Sequence, residues 1–252
     1  PRSITLLASD IEAIQPRVKH LNVVEEAQAK MLAFQFQHAT GAQATRLWAL
    51  VNAKFRLAVA SSTNSAETIY LWARVLFDQA QRVSMNSEHV LLEARDKFRS
   101  CVELMPDKHE AWYKLGHVTM ELSTRQHSFH EQVRLYHDAA TSFRRAIQLN
   151  SSHVDELLQF CLENCRQITQ ITCAERARDS NVNVALEELF KCTYQLFKLV
   201  LEHRFTEQIY IQLGNLLLDW AQTKSAAQAD EHYIRAAIMY EAALRCNPVL
   251  LD

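Results

Sequence analysis

Three glycines and four prolines stand in 252 residues, where average usage would supply about 18 and about 13. Hairpins, sandwiches and barrels depend on the turn chemistry of those two residues, so an all-β fold is excluded. Gly41, Gly116 and Gly214 stand 75 and 98 residues apart. A phosphate-binding loop needs several glycines within a few residues, so no nucleotide loop is expected. No apolar run approaches the roughly 18 residues of a membrane span. The amino terminus shows neither the basic start nor the apolar core of a signal peptide, and it opens on Pro1, as a segment of a longer chain would. Charge of one sign is equally scarce: 27 Lys and Arg face 29 Asp and Glu, a net charge of −2. With no global field to favour nucleic acid or an anionic membrane, partner choice must be local.

What is present is a folding composition. Hydrophobic residues make up 48% and charged residues 22%, a globular mix with enough apolar surface for a core. Six cysteines, at positions 101, 161, 165, 173, 192 and 246, are spread too thinly for a disulfide scaffold in a chain this long, and they read as reduced thiols in a cytosolic setting. Cys161 and Cys165 share a helix face at i, i+4 and Cys173 follows, but the paired C-x2-C knuckles of structural zinc sites are missing.

A repeat decides the architecture. Ala111-Trp112-Tyr113-Lys114-Leu115-Gly116 is followed by Ala139, Phe143, Ala146 and Ser151. The same second half recurs as Ala94, Phe98, Cys101 and Pro106, and as Ala236, Tyr240, Ala243 and Pro248. In the first halves Trp72-Ala73 and Leu213-Gly214 stand where Leu115-Gly116 stand, with Leu76 and Leu217 at the next pattern position, from which Thr119 departs. This resembles the tetratricopeptide repeat, W-x2-L-G-x2-Y, then A-x3-F, then Pro. The code is one of packing: small residues where two helices cross closely, and an aromatic filling the gap beside them. The resemblance implies an all-α, right-handed solenoid of antiparallel helix pairs.

Four repeats are counted from Ala66, His109, Val154 and Glu207, at periods of 43, 45 and 53 residues against the family's usual ~34. The excess lies at the turn inside each repeat. From small residue to Ala the intervals are 21, 23 and 22 residues, some nine to eleven beyond the family pattern, which would lengthen each helix by about 8 Å at about 1.5 Å per residue. The third repeat is degenerate, with Phe160-Cys161 in place of Leu-Gly, a polar loop expected over Ala174 to Asn183, and a second helix from about Val184 to His203. Residues 1–64 precede the repeats of 65–252 as an N-terminal helical pair. A long helix from about Arg17 to His38 is expected to end at Thr40-Gly41, and a helix over Ala42 to Ala60 carries Phe55 and Ala58 in register. A short leading helix is expected to start at Ser9 or Asp10 and to break near Pro16.

In this family ligands lie on the inner face lined by the first helix of each repeat. The resemblance places there Tyr70, Arg74 and Phe77 from the first repeat and Tyr113, Lys114, His117 and Met120 from the second. It adds Leu158 and Leu162 from the third and Ile211 and Asn215 from the fourth. The Lys and Asn clamp by which one sub-class grips an acidic chaperone tail is missing: Tyr70, Arg74, Lys114, Asp155 and Gln159 hold those positions. An aromatic and aliphatic face with a few charges suits an apolar or amphipathic peptide of a partner protein. The run W-x-x-V-L-F-D-Q-A followed by E-A-R-D-K-F is similar to a plant-type receptor for mitochondrial presequences, which gives an alternative function.

His127, His130 and His137 cluster with Glu131 in the second repeat, and with the cysteines they supply the competing reading of a metal-dependent protein. No carboxylate or thiol completes a tetrahedral set at a known spacing, and no nucleophile elbow, H-E-x-x-H or framed carboxylate pair is found. The expectation is a non-catalytic scaffold without cofactor or metal, cytoplasmic or at the cytosolic face of an organelle membrane. At its carboxyl end Ile234, Ala237, Ile238, Met239, Ala242 and Leu244 exceed what one neighbouring helix can cover. Self-association or further repeats are therefore expected there.

Overall fold

The structure is a computed structural model, and it describes residues 8–61, 65–82, 87–173 and 180–247. Side chains are not described for 8–22, 61, 173, 180–182 and 227. The described residues contain no strand and form ten α-helices with one short 3-10 turn. They run α1 (Ala8–His38), α2 (Gly41–Ser61), α3 (Ala66–Arg82), α4 (Glu88–Leu104), α5 (His109–Thr124), α6 (Phe129–Leu149), α7 (Val154–Cys173), α8 (Ser180–His203), α9 (Glu207–Gln222) and α10 (Ala226–Cys246). Successive helices pack as antiparallel pairs. The chain divides into two compact units, residues 1–114 and 115–252, with the boundary inside α5.

In the first unit α1 pairs with α2 and α3 with α4, while α1 and α2 both touch α3. Trp72 on α3 carries much of that docking. Its ring stacks on Phe55 of α2 at 6.3 Å, its Nε1 donates to Asn52 Oδ1 at 2.9 Å, and Lys97 of α4 lies over it at 4.4 Å. Phe55 and Ala58, the in-register pair on α2, are fully buried. At the start of α3, Ser65 and buried Thr68 donate to Glu26 of α1 at 3.1 and 2.5 Å. Hydrogen bonds from Lys30 first and Thr68 next hold the Glu26 carboxyl below its usual range.

In the second unit the pairs are α7 with α8 and α9 with α10, and the second half of α5 packs on α6. A Cβ built on Gly116 would lie 2.8 Å from the Phe143 ring, and one on Gly214 would lie 2.8 Å from the Tyr240 ring. These are the crossings at which the sequence pattern demands small residues beside an aromatic. Ala139, Ala146, Ala236 and Ala243 are buried, as is Cys101 in the first unit. Thr119, which breaks the pattern, is buried and returns its hydroxyl to Leu115 O at 2.7 Å, within its own helix. Phe160 fills the space beneath α6, 5.1 Å from Phe143 and 5.9 Å from Tyr136.

Helices α3, α5, α7 and α9 begin at Ala66, His109, Val154 and Glu207, the residues from which the repeat register was counted. The extra residues are taken up almost wholly as helix. Past Gly116, α5 continues eight residues to Thr124, and α6 opens at Phe129, ten before Ala139. The spacings around Gly214 and Ala236 are the same, from Gln222 back to Gly214 and from Ala226 on to Ala236.

Two expectations about boundaries are corrected. Helix α1 is continuous from Ala8 to His38, passing through Pro16 with Ser9 and Asp10 inside it, so no separate leading helix forms. A proline removes one rung of the ladder, and the turns on either side carry the helix across. Helix α8 starts at Ser180 rather than near Val184, so the end of the expected polar loop is helical, while 174–179 lie outside the described residues. Pro248 of the fourth pattern lies outside them too. Gly41 behaves as its place between two helices requires: its φ of 54° is left-handed, and α2 starts from it.

Candidate functional site

In the first unit the sequence-predicted residues come together on one face. Residues 67, 70, 74, 77 and 78 recur at three- and four-residue spacing along α3, and the first turns of α5 supply Glu110, Tyr113 and Lys114. Tyr70 and Phe77 are buried, forming an aromatic bed; the Tyr70 ring meets Phe98 edge-on at 6.0 Å. Cations lie over this bed. Lys108 Nζ is 4.6 Å from the Tyr70 ring centre and Arg74 Cζ is 5.9 Å from it, while Lys114 Nζ stands 5.9 Å from Phe77 and 5.6 Å from Tyr113. Carboxylates balance them. Glu67 pairs with Lys108 at 3.0 Å, and half-buried Asp78 has its carboxyl pushed up by burial against the opposing pull of Arg74, Lys114 and Arg82. Arg74, Tyr113 and Lys114 are half-buried, so each keeps part of its surface open to solvent beside the buried rings.

In the second unit the remaining predicted residues do less together. His117 meets Phe143 edge-on at 5.3 Å and so belongs partly to the α5–α6 packing. Met120, Leu158, Leu162 and Ile211 are half-buried. Asn215 is exposed, yet its Oδ1 accepts the Tyr240 hydroxyl at 2.6 Å, which ties it to the pattern aromatic of α10. Between α7 and α9, Thr169 donates to Asp219 at 3.2 Å.

Sequence reasoning missed an apolar cleft of about 410 Å³ lined by Tyr194, Lys198, Leu201, Glu202, Phe205, Tyr210, Leu213 and Met239. It opens between the end of α8, the start of α9 and the middle of α10. Phe205 is 68% exposed at its mouth. A signal for it existed. Thr206 caps α9, its hydroxyl accepting from Ile209 N at 3.4 Å, which makes Phe205 and Tyr210 the N′ and N4 residues of a hydrophobic staple.

His127, His130 and His137 are exposed, and Glu131 is paired with Arg134. Among the described residues no three His, Cys, Asp or Glu side chains are grouped to hold a metal ion. Burial pushes the Cys165 thiol up to about 12 and the Cys101 and Cys192 thiols up to about 11, and it raises buried Cys161 as well. Thiols held this way stay protonated, whereas nucleophile and ligand are the thiolate. The side chain of Cys173 lies outside the described residues. No described helix is long and apolar enough to cross a membrane. No protein-family model and no curated protein matches the chain. The fold and its faces therefore define only a class, an all-α protein of antiparallel helix pairs.

Proposed function

We propose that the chain is a tetratricopeptide-like solenoid of four lengthened repeats that acts as a non-catalytic interaction module, without cofactor or metal. It holds an apolar or amphipathic segment of a partner protein, in the cytoplasm or at the cytosolic face of an organelle. The repeat reading is supported by the four helix starts and by the Gly116–Phe143 and Gly214–Tyr240 crossings. The binding reading rests on one observation: on the α3–α5 face half-buried Arg74 and Lys114 stand over the buried rings of Tyr70 and Phe77, and Lys114 also lies over half-buried Tyr113. Aromatic and arginine side chains over a desolvated bed are the usual anchors of such contacts. The mixture of Arg74 and Lys114 with Glu67, Asp78 and Glu110 matches a segment carrying both charge signs beside its apolar residues, better than a purely acidic tail.

The test uses peptides selected on the intact chain from a random-sequence display library. The winners are expected to carry apolar residues at helical spacing. Replacing Arg74 and Tyr113 together with Ala should weaken them at least tenfold, a loss of about 1.4 kcal/mol or more, with the circular dichroism unchanged. Tyr70 is unsuitable for this purpose because its ring packs on Phe98. Unaltered affinity in the double variant, with loss on Phe205→Ser, would move the site to the α8–α10 cleft.

A further inference from the structure

Helix α10 has apolar residues on both sides. Its inner side, Ala229, His232, Ala236 and Ala243, is buried. Its outer side carries Ile234 and Ile238, exposed at 62% and 51%, with exposed Ala237 and Tyr233 beside them. A helix apolar all round is ordinarily covered all round. The pairing scheme of the chain offers no reason for this outer line. Helix α6 has the same length and the same pattern 97 residues earlier, Ala139, Phe143 and Ala146 against Ala236, Tyr240 and Ala243. Where α10 has Ile234 and Ile238, α6 has His137 and Thr141, both exposed. On α4, which carries the same pattern, the matching places hold Leu92, 37% exposed, and Asp96, so of these three helices α10 alone has exposed apolar residues at both places.

Charge placement identifies the occupant. Ile238 stands midway between Glu231 and Arg245, seven residues from each. If two copies of α10 lie antiparallel about a two-fold axis at Ile238, that residue meets its own equivalent. Ile234 falls level with Ala242 of the second copy, and Glu231 falls level with Arg245 of the second copy. An isologous contact requires this self-complementarity, residue i meeting j and j meeting i. Glu231 and Arg245 are exposed, and among the described residues each is paired along its own helix, with Arg235 and Glu241. Such exposed pairs contribute little, so exchanging them across an interface is nearly free. We propose that α10 is a homodimerisation helix, with its Ile234–Ile238 face packing antiparallel on that of a second copy. A contact one helix wide lies at the small end of specific interfaces, below about 1,200 Å², so the dimer is reversible. This inference does not depend on the proposed peptide-binding face.

Sedimentation equilibrium of the whole chain, with exposed Cys246 replaced by Ser, tests the proposal. A concentration-dependent dimer is expected. Ile238→Glu should raise its dissociation constant at least tenfold with helix content unchanged. Glu231→Arg and Arg245→Glu should each weaken it, and the two together should restore it, although the double reversal sets like charges side by side along each helix. Ile238→Cys should crosslink symmetrically under copper phenanthroline, whereas Thr141→Cys, at the matching place on α6, should not. A chain still monomeric at about 1 mM, the weak limit of specific association, would overturn the proposal. So would a dimer indifferent to Ile238→Glu, as expected if a different surface pairs, or one in which the double reversal fails to rescue.

Discussion

Gly116 and Gly214 occupy the same place in two helix pairs, but the rings over them differ in freedom. Phe143 is buried and pinned by His117 at 5.3 Å and Phe160 at 5.1 Å. Tyr240 is half-buried, with its hydroxyl reaching exposed Asn215. Both glycines would place a Cβ 2.8 Å from a ring atom. Alanine gains about 1 kcal/mol of helix propensity over glycine, while overpacking a site that cannot yield costs about 1 to 3 kcal/mol. Gly116→Ala is therefore expected to lower unfolding free energy, by up to about 2 kcal/mol. Gly214→Ala should be near neutral because its ring can swing outward, and urea titrations of the two variants check the contrast. His232 offers a pH test. Buried with its ring 4.4 Å from Trp220, it is held below its ordinary value of 6.5 by burial first and by Lys224 and Arg235 next. A base depressed in the folded state leaves stability intact above the unfolded value. As pH falls below that value the unfolded chain takes up the proton first and stability is lost. Between about pH 7.5 and about pH 5.5 the native chain should lose more stability than His232→Phe; parallel curves would assign the acid sensitivity to other groups.

At the scale of the element, helix ends decide how neighbours attach. The last carbonyls of α1 have no partner within the helix, and Arg82 at the end of α3 supplies one. Its guanidinium donates to Phe36 O at 3.1 Å, Gln37 O at 3.0 Å and Ala39 O at 3.0 Å while lying 4.5 Å from the Phe36 ring centre. The positive charge also suits the helix C-terminus. Arg82→Ala is expected to cost about 1 kcal/mol, because the site is exposed although the acceptors are several. Arg82→Lys should recover little, since an ammonium lacks the planar fork that reaches three carbonyls and covers a ring. Thermal unfolding of the three proteins would show it, and a lysine variant equal to the native chain would reduce the contact to charge alone.

At the scale of the whole molecule, among the described residues and within each compact unit, the substantial helix contacts join elements one or two places apart in the chain. Near-neighbour contacts of this kind leave opening energies free to differ along the chain. Hydrogen exchange read by mass spectrometry should show different opening free energies for α3–α4 peptides and for α9–α10 peptides, in keeping with two compact units. One shared value for all helices would mean a single cooperative block.

The sequence alone settled the class of fold and the positions of its crossings. Scarce glycine and proline excluded β structure, and small residues at 73, 116 and 214 could sit only where helices approach closely. The starts of α3, α5, α7 and α9 followed from the same register. Pro16 and the polar run before α8 misled, because local propensity at one or a few residues is overridden by a helix whose neighbours continue it. Which predicted surface residues are free was beyond a linear pattern. Tyr70 and Phe77 occupy helix positions equivalent to that of Arg74, and only the packing of α4 and α5 around them buries the rings and leaves the guanidinium out. The α8–α10 cleft lay further out of reach, since its lining comes from three helices and a turn whose adjacency exists only once the chain has folded. For α10 the division is sharpest. Its excess of apolar residues was legible in the order of the chain, whereas their exposure, and hence the need for a second surface to cover them, was decided by which side of the helix α9 took.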